Sequence, residues 1–482
     1  MAFNKHESTS EVYIAKNSRN IAEENELSNI GSLKLKVYKR RWLMLAIFSI
    51  CSIGSLSQMA EIGSISNIVA RYYGVSPLIA EWVTTICPIF YTILAIPISY
   101  LINKYDLRWV LIVSNGLSLL GAFIKIFSVH PNRFYLIIIG KSIVAIAQTV
   151  SKLIPGKIAT QWFPFHELAT ASSIANISIH IGIMCSFLFP LIIVKNHESL
   201  DDIANDLLYL AWTIAILNTV GFLLVFILFQ HEPKLPPSET RALQKISRGK
   251  RNDKFIETIK RLFRNRKFIL HCNICGVVLG ILASAGALFN MTVREYFENA
   301  AQIAGILGIC VCAFGAIGGI TIGIILDKMP KYKELSIIAN LSIVLFMMLY
   351  LISIILQMKW MLYVSTCVMG FFMIGYTMLG FEISIEYTYP EPENISMGIM
   401  DITVQVYTII FSIIGGILIK MYGIVPVFIG FEIFLLFGLI FNVLLKKEQR
   451  RQDAKKMTES EGFIEMINKN NIDGVPKTNT CI

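Results

Sequence analysis

The chain has 482 residues, 55% of them hydrophobic and 16% charged, with a net charge of +10. Soluble domains carry about a quarter charged residues. This composition, with a mean hydropathy of +0.61, excludes an ordinary soluble enzyme and makes lipid the expected solvent.

In chain order, residues 1–42 form a polar tail, acidic early and then basic (KLKVYKRR), with no signal peptide ahead of the first apolar run. A hydrocarbon core of about 30 Å needs roughly 20 apolar residues per helix. Runs of that kind fall at 43–70, 79–102, 109–128, 134–159, 168–194 and 207–229, a six-helix bundle over 43–229. A basic linker follows at 230–267. A second bundle over 268–446 holds runs at 268–293, 301–326, 335–356, 360–386, 395–419 and 424–445, and a tail closes the chain at 447–482. The runs are continuous rather than alternating, which predicts helices and not a β-barrel. The expected fold is all-α and polytopic, with 12 transmembrane helices in two six-helix bundles. The nine cysteines are scattered, most of them inside these runs, and read as packing residues.

Basic residues gather on the cytoplasmic side of a membrane protein. Residues 231–267 hold twelve Lys or Arg against four acids, and both tails are basic where they meet the membrane. The alternate loops are nearly free of Lys and Arg, and one, NHESLDD, is acidic. Both termini and the linker are therefore expected in the cytoplasm. The net charge follows from this topology and implies no nucleic-acid partner, although the linker also suits anionic lipid.

A repeat supports two halves of one design. The loop after the eighth run reads GIILDKMPKYKE and the loop after the second reads YLINKYDLRW. This resembles the G-x-x-x-D-[RK] loop of the major facilitator superfamily, whose halves rock about a central site. Asn103, Arg108, Asp327 and Lys328, with Glu386 at the end of the tenth run, are candidate cytoplasmic gate residues. Asn103 stands where that pattern has Asp. No phosphate loop and no nucleophile–base constellation is present, so neither an ATP-driven pump nor an enzyme is expected, and no cofactor.

Ionisable groups inside a span are costly and are functional candidates by default. The stretch FSICSIGSLSQMAEIGSISNI carries Gln58, Glu61 and Asn67. Gln148 and Lys152 lie in the fourth run, Asn176 and His180 in the fifth, Glu382 and Glu386 in the tenth, and Asp401 and Gln405 in the eleventh. Each also has a structural reading: Glu61 meeting outside water, Lys152 pairing with Glu382, His180 as a packed histidine.

The segments YKRRWLMLAIFSICS, ISNIVARYYGV, CVMGFFMIGYTMLGFEISIEYTYPE and NISMGIMDITVQVYTIIFSI resemble the feline leukaemia virus subgroup C receptor (FLVCR) family, solute carrier family 49. The likeness runs from about Tyr38 to Lys446. It implies transport of choline and ethanolamine, or of haem, by alternating access, with the plasma membrane as default location. The family's choline pocket resembles an aromatic cage with glutamines. By position, Gln405 keeps one glutamine. Met59 stands for a tryptophan, Ala283 for a tyrosine and His180 for a second glutamine, so three of the four positions depart. A desolvated cation–π contact is worth about 2 kcal/mol or more, and Glu61, two residues after Met59, is the expected replacement for the lost attraction. Haem remains an alternative, since Met59 and His180 are residue types that ligate iron. A non-transporting receptor on the same scaffold is another. A monovalent cation needs no ion coupling, and a monomer suffices.

Overall fold

The computed structural model describes residues 37–164, 167–230, 232–233, 235, 254–328, 331–389, 391 and 393–445. Among them the regular structure is helical. In the first half come α1 (Arg40–Leu56), α2 (Ser66–Tyr73), α3 (Pro77–Lys104), α4 (Leu107–Ile126), α5 (Phe134–Leu153), α6 (Pro155–Trp162), α7 (Leu168–Ile193) and α8 (Leu200–Leu228). In the second come α9 (Lys254–Arg264), α10 (Arg266–Ala287), α11 (Phe289–Val293), α12 (Ala300–Lys328), α13 (Tyr332–Ile355), α14 (Lys359–Thr388), α15 (Glu393–Tyr422) and α16 (Ile424–Leu444). Local chemistry marks several starts. Ser76 accepts from the Ile79 amide ahead of Pro77, Asn265 accepts from the Phe268 amide, and Asp201 and Asp202 sit in the first turn of α8.

Among the described residues eleven helices are long and apolar enough to cross a membrane. The twelfth crossing is the first, and it corrects the expectation of one helix over 43–70. It is broken: α1 stops at Leu56, Ser57–Ile62 are non-helical, a 3-10 turn spans Gly63–Ile65, and α2 completes the crossing. With twelve crossings both ends of the chain emerge on one face, here the tail side; the opposite face is the far side. The seventh crossing, first of the second half, is interrupted only at Leu288, whose amide still reaches the Ser284 and Ala285 carbonyls at 3.0 and 3.2 Å.

The second half packs around one continuous apolar core running from Leu262 to Leu445. The first half has two, one on the tail side around Met44, Phe48 and Phe163, the other on the far side around Ile65, Tyr73 and Leu207. Small residues set close helix approaches in both halves. A Cβ on Gly121 would stand 2.6 Å from the Gly140 carbonyl oxygen, and one on Gly318 would stand 2.0 Å from that of Phe371.

The halves meet along α3 against α15 and α7 against α12. Their far ends interlock: Leu78 packs at Gly416, and Phe187 and Leu191 pack at Gly308 and Gly305. Polar bonds seal the same end. Asn290 of α11 donates to the Ser64 carbonyl at 2.9 Å and to Asn67 Oδ1 at 3.0 Å. Ser66 donates to the buried Glu81 carboxylate at 2.6 Å, with Asn290 Oδ1 3.0 Å from the same hydroxyl.

Candidate functional site

Two polar constellations occupy the membrane interior, and they differ in what they serve. The first lies wholly within the first half, at the break in its first crossing. Backbone groups cannot be left unpaired in lipid. Here distant side chains pair them. Asn218 of α8 donates to the Gly54 carbonyl at 3.0 Å, and Gln148 of α5 donates to that of Ser55 at 2.9 Å. The buried Lys141 ammonium donates to the Gln58 carbonyl and, at 2.6 Å, to the Met59 carbonyl. The Gln58 side chain donates to Ser118 Oγ at 3.1 Å, and Ser118 donates on to Asn218 Oδ1 at 2.8 Å. Glu61, 2% exposed, accepts from the equally buried Lys125 of α4. This layer is what divides the apolar core of the first half in two.

Glu61 therefore faces Lys125 across an intrahelical-bundle pair, and the charges of the two cancel. A cleft of about 430 Å³, including its open mouth, lies beside them between Tyr73, Ile137 and Leu210. Gln148 likewise has its amide committed to a backbone carbonyl. Asn176 is turned back on its own helix, donating to the Ser172 carbonyl at 2.9 Å.

The second constellation joins the halves. Tyr91, near the middle of α3, is buried, and Asp401 of α15 lies near it across the seam between the halves. Lys152 of α5 places its ammonium 5.3 Å from the centre of the Tyr91 ring. His180, midway along α7, lies near enough to feel the Lys152 charge. Lys152, His180 and Asp401 are half-buried. Lys152 thus sits on an aromatic face. Along their helices Tyr91 and His180 stand at the middle, and Lys152 and Asp401 lie towards the tail side of it; facilitator-type transporters hold their substrate near mid-membrane.

The remaining carried-over positions, Met59, Ala283 and Gln405, are half-buried, and the Met59 carbonyl accepts from Lys141. Glu382 is half-buried and Glu386 buried on the tail-side half of α14.

At the tail side the structure redirects the reading of the repeated loop. Arg108 donates to the Phe226 carbonyl at 3.1 Å, at the end of α8, and Lys333 donates to the Val443 carbonyl at 2.9 Å, at the end of α16. Each cation caps the last helix of its own half. The side chains of Asn103, Asp327 and Lys328 lie outside the described residues. Two ion pairs, Arg41–Glu167 at 2.9 Å and Arg261–Glu391 at 3.3 Å, also stay within one half each.

Sequence reasoning passed over Tyr91, Glu81, Lys125 and Lys141. The last three carried the same signal as Glu61, an ionisable residue in an apolar run. Tyr91 carried none, since a tyrosine in such a run reads as packing.

The Major Facilitator Superfamily profile matches residues 42–395. The human choline/ethanolamine transporter FLVCR2 is 33% identical over 442 residues, covering 92% of this chain and 84% of the relative. The zebrafish choline/ethanolamine transporter flvcr2a is 32% identical over 434 residues, covering 90% and 92%. The cat choline/ethanolamine transporter FLVCR1 is 30% identical over 416 residues, covering 86% and 74%. Among solved structures, a D-xylose–proton symporter superposes with a TM-score of 0.64 at 14% identity, covering 84% of this chain and 97% of that one. A bacterial homologue of the lysosomal transporter Spinster, inward-facing and unoccupied, superposes with a TM-score of 0.62 at 14% identity, covering 85% and 98%. The fold is thus that of the facilitators. Sequence identity over most of the chain narrows the assignment: this is a multi-pass membrane transporter that belongs to the FLVCR family of the Major Facilitator Superfamily.

Proposed function

We propose that the protein carries choline and ethanolamine by facilitated, potential-driven alternating access, at the site between the halves formed by Tyr91, Lys152, His180 and Asp401. The observation that carries this reading is the buried Tyr91 ring on the α3–α15 seam, with Asp401 of the other half near it. A carboxylate beside an aromatic ring supplies what a small ammonium needs, charge and a π-face. The relatives named above as choline/ethanolamine transporters support the same solute class. Asp401, rather than Glu61, is the source of attraction, because Lys125 already neutralises Glu61.

The far-side seal of Asn290, Asn67 and Ser64 would open as the halves rock, while α3–α15 and α7–α12 act as the sliding seams. The density of basic residues on the tail side supports a cytoplasmic placement of both termini, and one chain suffices as the transporting unit. The plasma membrane fits net uptake best. There an inside-negative potential contributes about 2.3 kcal/mol per charge per 100 mV, so no coupling ion is needed.

The test is uptake of radiolabelled choline into proteoliposomes holding the purified full chain, with the potential set by a potassium gradient. Saturable uptake that rises with inside-negative potential is expected, and Asp401→Asn should reduce it about tenfold or more. Background-level uptake by correctly inserted protein would overturn the reading.

A further inference from the structure

α9 (Lys254–Arg264) crosses nothing, yet it ends one residue before the seventh crossing, with only Asn265 between Arg264 and Arg266. It therefore lies at the tail-side surface of the membrane rather than in open water. Thr258 and Leu262, one turn apart, are buried, and Leu262 joins the apolar core of the second half. Another side of the helix carries Lys260, Phe263 and Arg264, spaced three and four residues apart and all exposed. Phe263 is 59% exposed. Lys260 and Arg264 make no ion pair among the described residues, and exposed Arg266 and Lys267 carry the positive charge on into α10. A phenylalanine ring held out among cations is badly placed for water and well placed for lipid headgroups. Three residues from a span, the ring reaches the acyl boundary, and the long cationic side chains beside it reach phosphates. The sign of the charge fits as well. The tail-side leaflet, cytoplasmic in the orientation proposed above, is the one that carries anionic lipid.

We infer that α9 is a docking surface for anionic phospholipid, with Lys260 and Arg264 on the headgroup and the Phe263 ring among the upper acyl chains. The docked helix is also tied to the moving part of the molecule. Arg261 pairs with Glu391, in the turn between α14 and α15, at 3.3 Å, and Asn265 donates to the Tyr387 carbonyl at the end of α14 at 2.9 Å. α15 forms one of the two seams between the halves. Lipid bound at α9 thus steadies the tail-side end of a seam helix. This surface is separate from the transport site, and docking there does not depend on which solute is carried.

The purified full chain in detergent micelles would be titrated with phosphatidylserine or with phosphatidylcholine, and bound lipid counted by native mass spectrometry. Phosphatidylserine should bind more tightly, and its affinity should fall as salt is raised. Lys260→Gln with Arg264→Gln should weaken it by about fivefold for each cation removed, while Lys260→Arg with Arg264→Lys should hold it. Phe263→Ala should weaken it by about tenfold. All three positions are exposed, and a single symmetric elution peak for each variant checks folding. Equal affinity for the two lipids would overturn the inference, as would unchanged affinity in the neutralised or the Phe263→Ala variant. Displacement by soluble glycerophosphoserine at the same concentration as the intact lipid would overturn it too, since the headgroup alone would then suffice. Added phosphatidylserine should also slow amide exchange in the turn between α14 and α15, and should fail to do so in Arg261→Gln. Exchange there that ignores the lipid in the native chain would overturn the tie to the seam. None of these readings uses transport, so their failure leaves the choline reading untouched.

Discussion

The first crossing of each half is interrupted, and the two interruptions are filled by opposite means. At Ser57–Ile62 the gap is filled by ammonium, amide and hydroxyl groups, with Lys141, Gln148 and Asn218 donating to backbone carbonyls. At Leu288 it is filled by rings. Phe289 packs on Tyr350 at 6.2 Å, Tyr350 on Phe428 at 5.5 Å, and Phe428 on Phe431 at 5.6 Å. One hydrogen bond, Thr292 to the Tyr350 hydroxyl at 3.1 Å, accompanies them. The difference follows from the length of the gap. A single non-helical residue keeps its amide bonded within the helix, so only volume must be filled. A longer gap strands carbonyls, and in lipid each needs a donor. The lesson bears on how charges in membrane spans are read. Lys125, Lys141 and Glu61 are charged and buried, yet they are matched inside their own half. Lys152 rests on the Tyr91 ring, Asp401 of the other half lies near the same tyrosine, and neither makes an ion pair among the described residues. The useful distinction is not charged against neutral but committed against available.

The comparison can be broken most severely at the buried pair. Glu61→Gln or Lys125→Met alone should destabilise the protein by about 3–5 kcal/mol, because each leaves the other group charged and buried. The double substitution should recover most of that loss. Unfolding midpoints in detergent micelles would show it, and additive losses would mean that the two groups are not coupled. Lys141→Met comes next, at about 1.5–3 kcal/mol, since it removes a charged donor from the Gln58 and Met59 carbonyls. Choline uptake should fall with it, because Lys141 holds the backbone of Met59, one of the carried-over pocket positions. The matching change in the second half is Tyr350→Phe, which keeps the ring stack and removes one neutral hydrogen bond. About 1 kcal/mol is expected, with transport retained. Smallest are Arg108→Ala and Lys333→Ala, exposed caps at equivalent places in the two halves. Each should cost under about 1 kcal/mol, and the two should be alike. A much larger loss at either, read by the same unfolding assay, would show that the halves use the repeated loop differently.

Much of the architecture is legible in the sequence, because an apolar run of sufficient length has few alternatives in lipid. The run expected at 335–356 is the helix Tyr332–Ile355, and the one expected at 168–194 is Leu168–Ile193. The broken first crossing was not legible. Within Ser57–Ile62 the polar Gln58 and Glu61 read as site candidates rather than as a break, and what holds the segment out of the helix is Lys141, Gln148 and Asn218, far along the chain. The same holds for Glu61. Its presence is readable as a costly carboxylate, but its partner stands 64 residues away on another helix. Of the candidate site, Lys152, His180 and Asp401 were legible as polar groups in spans that line a facilitator's cavity. Tyr91, which separates two of them, was not.

The broken crossing also has a consequence for how the protein is made. As the chain leaves the ribosome, α1 emerges first, and at 1.5 Å per residue it is about 26 Å long, short of the hydrocarbon thickness. The segment around its end exposes carbonyls, and the Glu61 carboxylate, whose donors have not yet been synthesised. Lys125 arrives with the third crossing, Lys141 and Gln148 with the fourth, and Asn218 only with the sixth. The first crossing therefore cannot settle one helix at a time. It must wait, shielded by the insertion machinery, until nearly the whole first half has been translated. The seventh crossing, with its ladder almost intact, is free of that delay, so the two halves of one transporter mature on different schedules.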